Sequence, residues 1–338
     1  MVLISDWEDT VEIADWDTLV LGNGASIAID RRFAYRSLYE VAFDEGMLDP
    51  NLRRVFKLLR TRDFERVMEL LASAQRVNQI LDPNNTKAEA SYQALQRALI
   101  GAVKSVHPKY EDVRPHLGQI STFMKQFTTV VSLNYDLIVY WAMMHENKST
   151  ALRFSDGFLH SQYEEDHHWL QHMPGGGEAT LVYYPHGSLT LATDLSSNES
   201  KLAAQSSGLL LDTIEKAWNR QGVIPLFVSE GSDDQKRSAI GRSRYLQIVS
   251  HSVLPKGCNI VTYGWSLSDN DQHITSRLVS SGDVSHIAVG IHKDGKSKDT
   301  LNEECAAIAA AIARSIPKRG SRPSICYFDS SSDTCWIY

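Results

Sequence analysis

The chain has 338 residues, 43% apolar and 22% charged. Both values sit near the averages for soluble globular proteins, which excludes a disordered chain, a collagen-like fibre and a coiled-coil rod. Its 34 Lys and Arg face 41 Asp and Glu, a net charge of −7, which argues against nucleic-acid binding across the whole surface. The length suits about two domains, or one α/β core with an insertion. The longest apolar runs, Leu137 to Met144 and Ala306 to Ala313, fall short of the roughly 18 residues of a membrane span. The acidic start carries no basic n-region, so no secretory signal is expected. Cys258, Cys305, Cys326 and Cys335 form no C-x-x-C pair. A zinc ribbon is therefore not expected, and so few cysteines suit a reducing cytoplasm.

In chain order, the first strand signal is Thr18–Leu21, which runs into Gly22-Asn23-Gly24. Residues 35–125 then read as helices. Phe64, Val67, Leu70 and Leu71 recur at helical spacing, and Thr86 to Ala102 repeats the pattern after an Asp-Pro-Asn-Asn turn. Strand signals return at Thr128–Leu133, Thr180–Tyr184, Val223–Val228, Asn259–Tyr263 and His286–Ile291. Helices are predicted at 137–144, 233–239, 271–279 and 300–314. Short buried strands alternating with helices indicate an α/β fold, a Rossmann-like doubly wound parallel sheet. The helical module 35–125 is then an insertion after the first strand, and 1–34 with 126–338 form the sheet domain. Residues 155–178 read as an excursion, 193–204 as a surface loop, and Ser324–Phe328 and Cys335–Tyr338 as two short final strands.

In such sheets ligands bind beyond the carboxyl ends of the strands, and four strand ends carry suitable residues. Gly22, Asn23, Gly24, Ala25 and Ser26 form a tight turn into a helix, fit either to cradle a phosphate or simply to turn the chain. Asn134 and Asp136 follow the next strand. They are placed to hold a hydroxyl or a water, or to cap the following helix. His186, between Pro185 and Gly187, is either a general base or a loop histidine. Gly264 and Ser266 suit close approach to a nucleotide, while Ser268 or Asp269 also reads as a helix cap.

Taken in this order, GNGAS, NYD, HG and GWSL resemble the NAD site of the sirtuin-like superfamily. The stretches Pro225 to Arg237 and Gly264 to Asp271 are similar to a narrower bacterial sirtuin-like family of unknown function. The resemblance spans residues 21 to 271 and beyond. It implies a phosphate loop at Gly22–Ser26, a catalytic pair Asn134 and His186, Asp136 at the nicotinamide carboxamide, and Gly264, Ser266 and Asp269 on the adenosine side. The paired zinc cysteines of protein-deacylating sirtuins are missing, and Ala28–Phe33 stands where their Pro-Asp-Phe-Arg stretch falls. The resemblance therefore implies cleavage of NAD to nicotinamide and ADP-ribose, without metal, by a cytoplasmic anti-phage effector. ADP-ribosyl transfer and non-catalytic sensing of NAD or ADP-ribose are the alternatives. An inactive resting state, a homo-oligomer and a partner ATPase or phage-derived activator are implied in the same way. No membrane or direct nucleic-acid contact is expected.

Other signals carry blander readings. His160, His167, His168 and His172 lack an H-E-x-x-H and lie in an acidic segment. Tyr135 is expected simply to pack. Lys236, Arg237, Arg242 and Arg244 read as a solvated helix face, with a phosphate or nucleic-acid contact as the alternative, and Ser232 to Gln235 read as a capping box. Ser229-Glu230-Gly231 ends a strand and borders the expected pocket. Gly24→Val is expected to weaken NAD binding and leave the fold intact.

Overall fold

The structure is a computed structural model. It describes residues 2–34, 37–149, 153–159, 161–166, 170–171, 178–194, 196–204, 209–220, 223–228, 232–253, 259–280, 284–317 and 322–337. The histidines 160, 167, 168 and 172, Cys258 and residues 229–231 lie outside the described residues.

Thirteen strands are described, β1 Ile4–Ser5, β2 Thr18–Leu21, β3 Thr129–Ser132, β4 Phe154–Ser155, β5 Phe158–Leu159, β6 Gln162–Tyr163, β7 Thr180–Tyr183, β8 Gly187–Asp194, β9 Glu199–Lys201, β10 Val223–Phe227, β11 Asn259–Tyr263, β12 His286–Ile291 and β13 Ser324–Asp329. Eight of them form one sheet in the order β1-β13-β12-β11-β2-β3-β7-β4, and every pairing in it is parallel. Set aside the two-residue edges, and the strands run third-second-first-fourth-fifth-sixth across the sheet in chain order. That is the order of dinucleotide-binding sheets, whose switch point falls between the first and fourth strands, here β2 and β11. The protein is thus α/β and Rossmann-like.

Successive side chains of a strand point to opposite faces, and the core divides accordingly. Leu19 and Leu21 pack on one side with the helical module. Val20 packs on the other with Val131, Ile260, Ile274 and Ile308. All three β2 residues are fully buried, as a central parallel strand requires.

The helical module consists mainly of helices Leu38–Asp44, Pro50–Leu59, Phe64–Leu81, Lys87–Val106 and Leu117–Met124. Asp49 and Asp63 cap two of them by accepting from the Leu52 and Arg66 backbone N–H groups. Phe56, Phe64, Val67, Leu95 and Leu99 join the core beneath one face of the sheet.

Several expectations need correction. Val223–Phe227 is not a strand of the parallel sheet. As β10 it is the edge of an antiparallel sheet ordered β10-β8-β9. Pro225 has no N–H to donate and is tolerated at an edge strand, not in a sheet centre. Much of the expected surface loop 193–204 belongs to the β8–β9 hairpin, whose tip is tied by Asp194 accepting from the Ser196 and Asn198 N–H groups. The described part of the 155–178 excursion holds the end of β4 and the hairpin of β5 and β6. Cys335–Ile337 forms no strand. Its Trp336 is buried and donates its indole N–H to the Ala25 carbonyl at 2.8 Å, so it anchors as a single side chain. Finally, β1 precedes Thr18–Leu21, so the helical module follows the second strand of the sheet.

Candidate active site

Two cavities open at the carboxyl ends of the strands, on either side of the switch point. They are separated by a contact of backbone on backbone. Gly22 N–H donates to the Tyr263 carbonyl and Gly24 N–H to the Gly264 carbonyl, at 3.0 and 2.7 Å. A Cβ on Gly24 would stand 2.7 Å from the Gly264 Cα, and one on Gly264, at φ +64, would stand 2.2 Å from the Ala25 nitrogen. These glycines first let β2 and β11 turn against each other. The expectation that Gly24→Val would spare the fold therefore fails.

The first cavity, about 250 Å³, is lined by Gly22, Asn23, Asn134, Tyr135, Asp136 and His186, and by Lys236, Trp265 and Asp271. The second, about 430 Å³, is lined by Gly24, Gly264, Ser266, Ile308 and Ile337 among others, and Trp265 borders both. The structure thus gathers the expected residues around two adjoining spaces, with three exceptions. Ala25 and Ser26 are buried behind the loop and line neither. Asp269 is expected at the adenosine side. It lines neither cavity, and its side chain is 85% exposed and ion-paired to Arg314. At the open start of a helix the carboxylate is held outward by water and by its surface partner Arg314.

Asn134 is wired from behind. Its amide nitrogen donates to the Gly22 carbonyl and to the Ser26 hydroxyl, both at 2.9 Å. A carbonyl only accepts, so the nitrogen must face Gly22, and both amide hydrogens are used. What Asn134 can offer a ligand is its carbonyl oxygen, an acceptor for a hydroxyl or a water. Ser26 in turn donates to Asp136 Oδ2, while Asp136 Oδ1 accepts from the Ile138 N–H. Burial pushes the Asp136 carboxyl above its usual value, against these hydrogen bonds. Tyr135 stacks on Phe227, and its hydroxyl, buried beside the cavity, has no hydrogen-bond partner among the described residues. Buried polar atoms are rarely left orphaned without a ligand or water.

His186 sits in the turn before β8. Gly187, at φ +73, makes room there, since a Cβ would lie 2.2 Å from the Leu226 carbonyl. The ring is buried, with Nδ1 3.3 Å from the Leu133 carbonyl and Nε2 3.0 Å from Nε2 of His273. Burial, then the Lys236 charge, hold His186 far below the ordinary histidine value, so it is neutral at pH 7.

Beyond it lie residues that the sequence did not assign to the site. Lys236 reads as solvated, yet its side chain is only 12% exposed and pairs with Asp271 at 2.6 Å. Asp271 also accepts from the Trp265 indole. Burial opposes its charge, but the Lys236 ammonium and the hydrogen bonds from Lys236 and Trp265 hold its pKa below normal. Asp233 Oδ1 accepts from the His273 backbone N–H at 2.7 Å and meets His273 Nδ1 at 2.6 Å. The capping box at Ser232 and Gln235 is formed and fixes the start of the Asp233–Ile240 helix. A lysine in a basic run looks the same whether its face is inward or outward. The nearest sequence signal was the likeness over Pro225 to Arg237.

Among the described residues, no group of three or more His, Cys, Asp or Glu stands close enough to hold a metal ion, and no helix is long and apolar enough to cross a membrane. A larger concavity, about 710 Å³, lies elsewhere, between the helical module and Gln235 and Asn270.

A family model described as Domain of unknown function (DUF4917) matches residues 19–336. The chain belongs to that family. No curated protein matches it.

Proposed function

We propose that this member of the DUF4917 family cleaves the bond between nicotinamide and ribose in NAD, with water as acceptor. The observation that carries the reading is the pairing of cavities across the Gly24–Gly264 contact. A polar cavity with Asn134 and His186 adjoins a more apolar one at the switch point of a dinucleotide-type sheet. The first suits the nicotinamide riboside end, and the second suits adenosine, with Ser266 at its rim. Small-molecule sites commonly measure about 300–1,000 Å³, so two adjoining spaces suit a two-part ligand better than either alone.

In this reading the glycosidic C–N bond opens through an oxocarbenium-like state. Nicotinamide departs as a neutral molecule, so little acid assistance is needed. The Asn134 carbonyl accepts from a ribose hydroxyl or the incoming water. His186, neutral at pH 7, takes a proton. Asp136, with both carboxyl oxygens already bonded to protein, supports the wall more than it reaches for the carboxamide. A role as an activated defence effector, held off until a partner or self-assembly releases it, fits the damage that free NAD hydrolysis would do to a cell.

The test is direct. Protein incubated with NAD should release nicotinamide and free ADP-ribose in equal amounts. ADP-ribose found attached to protein would replace hydrolysis by transfer. NAD that binds and stays whole, across resting and oligomerised preparations, would overturn the reading in favour of a sensor.

A further inference from the structure

The proton count between His186 and His273 does not close if each ring takes the tautomer that its own Nδ1 partner favours. Asp233 receives His273 N–H and His273 Nδ1 on Oδ1, and Arg237 Nε on Oδ2 at 2.6 Å. A carboxylate that accepts a backbone N–H and a guanidinium is ionised and can only accept, so His273 Nδ1, 2.6 Å from Oδ1, carries the proton. A neutral His273 then has a bare lone pair on Nε2. That lone pair faces Nε2 of His186 at 3.0 Å, a normal N–H···N length. If His186 held its proton on Nδ1, toward Leu133, two lone pairs would meet in a buried place. The Leu133 contact is the longer one, at 3.3 Å.

We infer that His273, oriented by Asp233, is a positioning residue that fixes the tautomer of His186. Nε2 of His186 carries the proton and donates to His273, and Nδ1 is the basic atom. Nδ1 then faces the Leu133 carbonyl, acceptor against acceptor, one residue from Asn134 on the cavity wall. A ligand hydroxyl or a water entering there finds three acceptors, Nδ1, the Leu133 carbonyl and the Asn134 carbonyl. Proton transfer breaks the ligand's O–H bond, leaves its electron pair on oxygen and forms the Nδ1–H bond. The imidazolium keeps its bond to His273, with the Asp233 carboxylate on the far side, and later yields the proton to solvent. The other charges facing the ring are Lys236 and Asp271, the latter 4.0 Å from Nε2, and they are paired with each other. Arg237 balances Asp233.

The role in turnover rests on the NAD reading, but the tautomer does not. Nitrogen-15 spectra of histidine-labelled full-length protein at pH 7 settle it, with His186 assigned by its loss in His186→Asn. The expected result is a proton-bearing Nε2 and a bare Nδ1 on His186, with the reverse on His273. In His273→Phe the His186 proton should move to Nδ1. In His273→Gln, whose carbonyl can accept, it should stay. A proton on Nδ1 of His186 in the parent, or an unchanged tautomer in His273→Phe, would overturn the inference, and the parent spectrum decides even where a variant fails to fold. For turnover, His273→Phe should lower kcat at least about tenfold with KM held, and Gln should restore part of it. The expected tautomer without any NAD cleavage would leave this inference standing and sink the NAD reading. Cleavage with the opposite tautomer would do the reverse.

Discussion

The two cavities share Trp265 and a glycine contact, yet they are built differently. Around the first, most polar groups already have a protein partner. Asn134 is tied to Gly22 and Ser26, Asp136 to Ser26 and Ile138, His186 to His273, and Lys236 to Asp271. Around the second, Ile27, Tyr263, Ile308 and Ile337 supply apolar wall, Ser266, Ser330 and Ser331 supply hydroxyls, and His292, Asp294 and Glu304 also border the space. A preorganised polar wall suits a reacting centre, because its dipoles need not reorient as charge develops. A more apolar wall with a few polar groups suits holding a flat ring. Changes on the polar side should therefore act on kcat, and changes on the apolar side on KM.

The largest effect is expected at His186. A general base is worth about 10² to 10⁴ in rate, or roughly 3–5 kcal/mol of barrier. His186→Ala should cut NAD hydrolysis by that order in the activated protein while calorimetry still finds NAD bound. Asn134→Ala should cost a similar amount, and the double variant little more, because both serve one reacting centre. Parent-like turnover by His186→Ala would remove the base from the polar side and end the comparison.

What the sequence made legible divides along the same line. Strands β2, β3, β7, β11 and β12 are readable because central parallel strands are buried on both faces and show as short runs of mostly apolar and β-branched residues. Their ends carried Asn134 and His186, so those positions were readable too. Strand β10 looked the same, since an apolar edge strand of a small sheet gives the same run, and only Pro225 marked the difference. Lys236, Asp271 and His273 were not readable. They come from helices far along the chain, and their inward orientation is set by tertiary packing that no local spacing encodes. The glycine loop is legible as a turn, but its packing is not. Spacing shows that Gly24 sits at a turn, but not that its neighbour is the Gly264 backbone.

The next largest effect concerns that contact, which both cavities share. Gly24→Val adds a Cβ that would lie 2.7 Å from the Gly264 Cα and 2.9 Å from its carbonyl oxygen, with two methyl groups beyond it. Neither backbone has a flexible end that can yield. Overpacking of this kind costs about 1–3 kcal/mol, so the urea midpoint should fall, and NAD binding should weaken through the lost loop geometry. Unchanged stability with unchanged binding would mean that the two turns can separate freely.

Acid should weaken the polar side. His107 lies beneath the Asn134–Asp136 turn, and its Nε2 accepts the Leu137 N–H at 3.1 Å. Burial holds its pKa down to about 4. In the unfolded chain a histidine titrates near 6.5. Between those values the unfolded chain binds the proton and the folded one refuses it, so stability falls as pH drops below about 6.5 and is unaffected by this group above it. The loss should reach on the order of 2–3 kcal/mol near pH 4. Urea titrations at pH 7 and pH 5 check the sign; equal midpoints would contradict it.

On the apolar side, Ser266 is an exposed residue at the rim of the second cavity. Ser266→Tyr fills space without touching Asn134 or His186. It should raise KM for NAD about tenfold, near 1.4 kcal/mol of binding, with kcat almost unchanged. A fall in kcat at constant KM would place this cavity at the reacting end and invert the assignment of the two.

The smallest effect is expected at Asp269, and it tests where the apolar cavity ends. The residue falls within the stretch that resembles an adenosine-side lining, but the fold turns it outward to Arg314, with both side chains more than half exposed. Water screens such a pair, and breaking it costs at most about 1 kcal/mol. Asp269→Ala should therefore leave kcat and KM for NAD as in the parent and shift the urea midpoint barely at all. Lys236 supplies the contrast, since it sits in a basic run that reads as solvated and lies against Asp271 inside the polar cavity. If Asp269→Ala raised KM as Ser266→Tyr does, the helix start at 269–271 would have to turn inward when NAD binds. Asp271 lies on that same turn, so the movement would also pull it from Lys236 and His186. The two cavities would then be one mobile site and not two fixed ones.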